Sequence, residues 1–67
     1  MASILVRFGA NVRKYRTKRK ISQEKLAEMA DLHRTYIGQI ETGKRNVALK
    51  NVDKLARALG ISMKDLF

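Results

Sequence analysis

Apolar residues recur along the chain at three- and four-residue steps, and this spacing predicts helices rather than strands. The β-branched residues are scattered and no Asn-Gly hairpin turn is present, so nothing in the sequence indicates a sheet. The inward positions of the first four predicted helices are Ile4, Phe8, Val12 and Tyr15; Leu26, Ala27 and Ala30; Ile37 and Ile40; and Leu49, Val52, Leu55, Ala56 and Leu59.

Residues that favour helix ends stand between these apolar stretches. Ser22 is a good N-cap for the second helix, because its hydroxyl accepts a bond from a free first-turn amide. Gly43 and Gly60 suit the left-handed position that ends a helix. Ser62 begins a short last helix, with Asp65 three residues later as an approximate capping box. The pattern therefore predicts an all-α fold of five short helices around one core.

The segment Gln23–Thr42 has the spacing of a helix-turn-helix, in which a second helix is presented outward after a tight turn. It reads QEKLAEMADLHRTYIGQIET. Ala27 is small where the two helices cross closely, and Asp31 occupies the turn. Three apolar residues lock the second helix onto the first, namely Leu32, Ile37 and Ile40. We expect this unit at about residues 22–42.

Length and composition limit the chemistry that the chain can perform. A chain of 67 residues forms one domain, 1–67, with a core too small to enclose a deep pocket. It has no cysteine, and its single histidine, His33, cannot form a metal site alone. No Ser/His/Asp set, glycine-rich phosphate loop or HExxH motif is present. We therefore expect no enzyme activity, no metal or cofactor, and no small-molecule ligand.

The charge is strongly positive. Fifteen Lys and Arg residues against six Asp and Glu residues give a formal net charge of +9 and a pI near 10.5. A positive field of this size favours polyanions as partners, nucleic acid first and an anionic membrane surface second. No apolar run is long enough to cross a membrane, and we expect a cytoplasmic, nucleoid-associated protein. Small Ala27 and the helix-ending Gly43 favour nucleic acid, because membrane binding needs neither.

The wider string SQEKLAEMADLHRTYIGQIETGKRN closely resembles the Cro/C1-type (XRE-like) helix-turn-helix family. The resemblance runs from Phe8 to Phe67 and includes KLARALGIS, typical of the fourth helix, and DLF. Within the family, LHRTYIGQIETGKRNVAL is most similar to the controller proteins of restriction–modification systems. The resemblance implies a five-helix Cro/C1-repressor-like domain. It also implies a transcription regulator that binds an inverted repeat of double-stranded DNA as a homodimer.

Two positions depart from the family pattern. Asp31 stands where the family usually has Gly in the turn, but Asp tolerates the left-handed conformation better than most residues. Val47 and Ala48 replace a Pro and a Ser that often precede the fourth helix, and Ala is a poor N-cap. Neither change falls on a position expected to read bases.

The resemblance assigns DNA contacts to the third helix and its flanks, since a recognition helix enters the major groove by its N-terminal end. Arg34 would pair with guanine, Thr35 would touch a thymine methyl or a base edge, and Gln39 would pair with adenine. Contacts to phosphate, or mixed contacts, are expected from Ser22, Gln23, Tyr36, Lys44, Arg45, Asn46 and Asn51.

Two further sets of residues follow from the resemblance. Arg16 and Glu41 match the family's Arg–Glu pair, which fixes the recognition helix against the first helix. The family dimerises through the region after the third helix, which here offers Leu49, Val52, Leu59, Ile61, Met63 and Phe67.

The sequence leaves other functions open. The alternatives are an antitoxin, or the DNA-binding regulatory domain of a longer protein such as a cytosine methyltransferase. A basic module that binds a membrane surface is a third alternative, which the charge alone would allow.

Overall fold

The computed structural model describes residues 3–67, so the first two residues of the expected domain lie outside the described part. Four α-helices follow one another along the chain: α1 (Ile4–Lys18), α2 (Gln23–Ala30), α3 (Arg34–Glu41) and α4 (Leu49–Leu59). A single 3-10 turn, Met63–Leu66, comes last. Within residues 3–67 there is no strand, which confirms the expected all-α class.

The fifth predicted α-helix is wrong, because this segment is too short to close α-helical bonds. The Asp65 amide bonds to the Ser62 carbonyl at 3.0 Å and the Phe67 amide to the Lys64 carbonyl at 3.1 Å, both with a three-residue step. The Ser62 amide also donates to Asp65 Oδ2 at 3.1 Å, as a capping box requires. The segment thus begins where the sequence indicates, but it forms a 3-10 turn.

The helix ends follow the expected local chemistry. The Ser22 hydroxyl accepts the Lys25 amide at 2.9 Å and caps α2. Asp31 ends α2 with φ 56° and ψ 50°, so this Asp adopts the left-handed conformation that the turn requires. Gly60 ends α4 with φ 70°. Ala48 precedes α4 without any side-chain cap, as its short apolar side chain dictates.

The core is one cluster to which all four helices contribute. α2 packs against both α3 and α4, while α1 packs mainly against α3. The buried apolar residues are Phe8, Val12, Leu26, Ala27, Ala30, Ile37, Ile40, Val52, Leu55, Ala56, Leu59 and Leu66. Two expected core positions are wrong, since Ile4 is 51% exposed and Leu49 is 73% exposed. Each lies in the first turn of its helix, beyond the part that the neighbouring helices cover.

Two glycines let α1 lie unusually close to the end of α3. A Cβ on Gly9 would overlap the Ile40 carbonyl oxygen, so a side chain there is incompatible with the observed packing. Gly43, just after α3, has φ 73°, and a Cβ on it would stand 2.7 Å from Val6 Cγ2. These contacts hold the C-terminal end of α3 against α1.

Candidate nucleic-acid interface

The turn between α2 and α3 sets the direction of α3. The left-handed Asp31 reverses the chain, and the Leu32 amide bonds back to the Ala27 carbonyl at 2.9 Å. Ile37 and Ile40 then bury one face of α3 in the core. The opposite face, which includes the first turn of the helix, remains open to solvent.

The first turn of α3 presents two exposed side chains that can bond to a base. Arg34 and Thr35 are both exposed, directly after His33, which occupies the N-cap position without a side-chain hydrogen bond. Arg34 Nη1 lies 3.8 Å from Glu24 Oε2, with both side chains more than two-thirds exposed. An ion pair this long and this solvated is weak. Arg34 is therefore free to exchange Glu24 for another acceptor.

A buried ion pair ties the far end of α3 to α1. Arg16 Nε donates to Glu41 Oε2 at 2.6 Å and Arg16 Nη2 to Glu41 Oε1 at 3.1 Å, so the pair is bidentate. The side chains are only 13% and 3% exposed. Arg16 Nη1 also donates to the Ile21 carbonyl at 2.8 Å, and Gln23 Nε2 donates to Glu41 Oε1 at 3.1 Å. The network therefore joins α1, the start of α2 and the end of α3.

The same pair keeps the guanidinium charged. The hydrogen bonds to Glu41 raise the pKa of Arg16 above its ordinary value, although burial acts in the opposite direction. The carboxylate places the opposite charge directly beside this mostly buried guanidinium. Two of the five guanidinium N–H groups are not used in the four bonds of the network, so the exposed edge of Arg16 retains donor capacity.

A second cluster covers the outward face of α3. Arg45 Nη1 donates to Gln39 Oε1 at 3.0 Å, and the Arg45 guanidinium carbon lies 5.2 Å from the centroid of the Tyr36 ring. Asn51 Nδ2, from the first turn of α4, donates to the Tyr36 hydroxyl at 3.2 Å. Four residues that the sequence suggests separately are thus linked in one chain of contacts, from Gln39 through Arg45 and Tyr36 to Asn51. An open groove of about 560 Å³ runs beside them, between α3 and the start of α4.

The remaining residues suggested for phosphate contact lie at two places. Lys44 and Asn46 are exposed in the loop after α3. Ser22 and Gln23 stand at the N-terminus of α2, where backbone amides and the helix dipole favour an anion. The Gln23 amide already donates one hydrogen to Glu41, which leaves its second hydrogen for another acceptor.

The residues suggested for a dimer interface divide into two groups. Val52 and Leu59 are 3% and 2% exposed, because they belong to the core of this chain, so their assignment to a partner surface is wrong. Leu49 and Phe67 are exposed, and Ile61 and Met63 are half-buried. The Phe67 ring also packs on Phe8, with ring centroids 5.2 Å apart.

Sequence reasoning missed three residues that position these elements. Gly9 permits the close approach of α1 to α3, and a glycine in the middle of a predicted helix was the available signal. Arg19 Nη1 donates to the Leu59 carbonyl at 2.8 Å and so caps α4 from a distance. Asn11 Nδ2 donates to the Leu66 carbonyl at 3.0 Å. Neither of these long-range hydrogen bonds can be predicted from the spacing of residues along the sequence.

In the part of the chain that the structure describes, no helix combines the length and apolar character needed to cross a bilayer. Across the same residues, no group of three His, Cys, Asp or Glu side chains could hold a metal ion.

The fold and the exposed front of α3 define a helix-turn-helix protein. The family model described as Helix-turn-helix matches residues 12–66. The chain belongs to this helix-turn-helix family, of the Cro/C1 (XRE-like) type.

The relatives that the chain matches belong to a narrower class of proteins than the family as a whole. Control protein C.BamHI of Bacillus amyloliquefaciens is 54% identical over 65 residues, which cover 96% of this chain and 80% of that protein. The structure is similar to that of the restriction–modification controller protein C.AhdI from Aeromonas hydrophila. That match has a TM-score of 0.92 and 49% identity, and covers 94% of this chain and 96% of the other. C.Esp1396I bound to a 25 base pair operator site matches with a TM-score of 0.84 and 31% identity, over 92% of this chain and 82% of that one.

Proposed function

We propose that this chain is a transcription regulator that controls a restriction–modification system by binding an operator in double-stranded DNA. The observation that carries the proposal is the helix-turn-helix, which leaves Arg34 and Thr35 exposed at the front of α3. A planar guanidinium can bond to guanine O6 and N7 together, and a threonine methyl can contact thymine. The likeness to control proteins over nearly the whole chain supports this reading.

The charge distribution supports the same reading. The net charge is +9, and Glu41 neutralises Arg16, whose side chain is only 13% exposed. Lys44 and Arg45, in the loop after α3, remain exposed, and Arg45 lines the groove. A cation at the edge of α3, such as Lys44, can bind a phosphate and fix the position of the protein on the duplex without reading its sequence.

The direct test is selection of bound sequences from random DNA at a stated salt concentration. The expected result is an enriched sequence with twofold symmetry, because one small helix-turn-helix buries too little DNA surface for tight specific binding. Arg34→Ala should then lose preference at one base pair of each half-site. Binding to all sequences with equal affinity would contradict the proposal.

A homodimer is part of the proposal. Half-sites are read about one helical turn apart, roughly 34–36 Å centre to centre. The related C.Esp1396I complex holds a 25 base pair operator, and a duplex of that length exceeds two turns of 10–10.5 base pairs. On this chain the exposed Leu49 and Phe67 and the half-buried Ile61 and Met63 are the apolar side chains available to face a second copy.

Leu49→Asp tests the dimer with little risk to the fold. Leu49 is 73% exposed, and an aspartate in the first turn of α4 interacts favourably with the helix dipole. Sedimentation equilibrium should show the wild-type chain as a dimer and Leu49→Asp as a monomer at equal concentration. The matched control is Met29→Asp, an exposed apolar residue on α2 outside the proposed surface, which should remain dimeric. A wild-type chain that stays monomeric with and without operator DNA would refute the dimer.

A further inference from the structure

The side chain of Arg45, although exposed, is folded back along α3. Its guanidinium is held on two sides, by a hydrogen bond to Gln39 Oε1 at 3.0 Å and by the Tyr36 ring at 5.2 Å from the centroid. Gln39 and Tyr36 lie three residues apart on α3, so they are neighbours on one helix face. Asn51 in turn holds the Tyr36 hydroxyl at 3.2 Å. These contacts hold the Arg45 side chain on the outward face of α3.

This arrangement alters what Gln39 can do. To pair with adenine, a glutamine donates from its amide nitrogen to N7 and accepts from N6 with its amide oxygen. In this structure the amide oxygen of Gln39 already accepts a hydrogen bond from a cation. Arg45 keeps four of its five N–H donors after this bond. The amide nitrogen of Gln39 adds two donors, and its oxygen keeps one lone pair, so the pair together offers six donors to the DNA against one remaining acceptor site beside a cation.

We propose that Gln39 is a positioning residue for Arg45, and that it affects operator recognition through Arg45 instead of pairing with a base of its own. This inference rests on the proposed DNA binding. A side chain that presents only donors matches the O6 and N7 acceptors of guanine better than the mixed edge of adenine. Gln39 and Arg45 should therefore affect the preference at the same base pair of the operator, and the preferred base there should be guanine.

A double-mutant cycle distinguishes this positioning role from direct pairing of Gln39 with a base. Affinity is measured for Gln39→Ala, Arg45→Ala and the double variant, on the selected operator and on each of its single-base variants at one salt concentration. Gln39→Ala should weaken operator binding by about threefold to tenfold in the wild-type background. In the Arg45→Ala background the same substitution should have almost no effect. Both single variants should lose preference at the same base pair.

Two isosteric variants and one neighbour provide the controls. Gln39→Met keeps the length of the side chain without an acceptor, so it should behave like Gln39→Ala. Gln39→Glu keeps the acceptor, so it should retain the base preference while its negative charge lowers affinity for every sequence. Lys44, the other cation of the loop, bonds to the Gln39 carbonyl through its backbone amide at 2.9 Å. The effect of Lys44→Ala should therefore add to that of Gln39→Ala.

The outcomes distinguish this inference from the proposed function. Additive effects of Gln39→Ala and Arg45→Ala, with loss of preference at two different base pairs, would overturn the positioning role while operator binding stands. A wild-type chain that selects no DNA sequence would overturn the proposed function and this inference with it. Thermal unfolding of the variants close to the wild-type temperature would exclude a general loss of structure.

Discussion

Glu41→Gln offers the sharpest test of how the recognition helix is held. The substitution keeps the shape of the side chain but removes the charge that neutralises Arg16. Glu41 accepts three hydrogen bonds and is only 3% exposed, so its replacement leaves a mostly buried guanidinium without a counter-charge. Breaking a buried pair in this way costs roughly 3–5 kcal/mol. Because Arg16 is still 13% exposed, we expect the lower end, about 3 kcal/mol.

This cost is large for so small a domain. A stability of roughly 0.05–0.15 kcal/mol per residue corresponds to only about 3–10 kcal/mol for 67 residues. Each kcal/mol shifts the unfolding temperature of a domain of this size by about 4–8 °C, so the expected loss is roughly 12–24 °C. Circular dichroism during thermal and urea unfolding measures it directly.

The partner substitution and an exposed pair complete the experiment. Arg16→Met combined with Glu41→Gln should cost clearly less than the sum of the two single changes, because neither charge is then left alone. The control is Asp53→Asn, which breaks the solvent-exposed Arg57–Asp53 pair of 3.0 Å and should change stability little. If Glu41→Gln unfolds within about 0.5 kcal/mol of the wild type, as surface substitutions do, the reasoning about the buried pair is wrong.

Three further predictions concern the helices and the interface. Gly9→Ala should destabilise the domain by about 1–3 kcal/mol in urea unfolding, since a Cβ there overlaps the Ile40 carbonyl oxygen. Gly38→Ala should instead stabilise α3 by up to about 1 kcal/mol, because the added Cβ would meet only Gln23 Oε1 at 3.8 Å. If both substitutions changed the stability in the same direction, this difference between the two glycines would be refuted. Ala48→Ser should add about 1 kcal/mol in the same assay, because α4 lacks a side-chain cap, and no gain would mean that the added hydroxyl does not reach a first-turn amide. Arg34→Ala should lower the binding free energy by about 1–3 kcal/mol per half-site and relax the preference at one base pair. Lys44→Ala should weaken binding to all sequences alike and lower the slope of log affinity against log salt concentration by about one. The reverse pattern would mean that the base-reading residues are misassigned.

The spacing of apolar residues predicted the helices because one face of each helix packs into a single core. Leu26, Ile37 and Leu55 are fully buried where the helical period requires it. The same period failed at Ile4 and Leu49, because periodicity marks a face of a helix but not how far the neighbouring helices extend along it. It also failed at Met63–Leu66, where one turn is too short to distinguish an α-helix from a 3-10 turn.

The candidate site was predictable as a set of residues but not as an arrangement. The positions of Arg34 and Thr35 at the front of α3 follow from the capping and turn signals around them. The contact of Arg45 with Gln39 does not, because it depends on the direction in which the chain leaves α3 at the left-handed Gly43. A sequence pattern carries no information about that direction, so it suggests Arg45 only as a phosphate or mixed contact and not as a neighbour of Gln39.

The two ends of α3 are secured very differently. Its C-terminal end is fixed by Glu41 and by the close contact of Gly43 with Val6, but its first turn has no side-chain cap and contains no acidic residue. Arg34 there faces the positive end of the helix dipole, which is mildly unfavourable. Amide hydrogen exchange should consequently be faster in the first turn of α3 than at Ile40, because local opening is cheapest where a helix is least anchored. A nearby DNA phosphate would supply the negative charge that this turn lacks, so the first turn of α3 would open less often when DNA is bound.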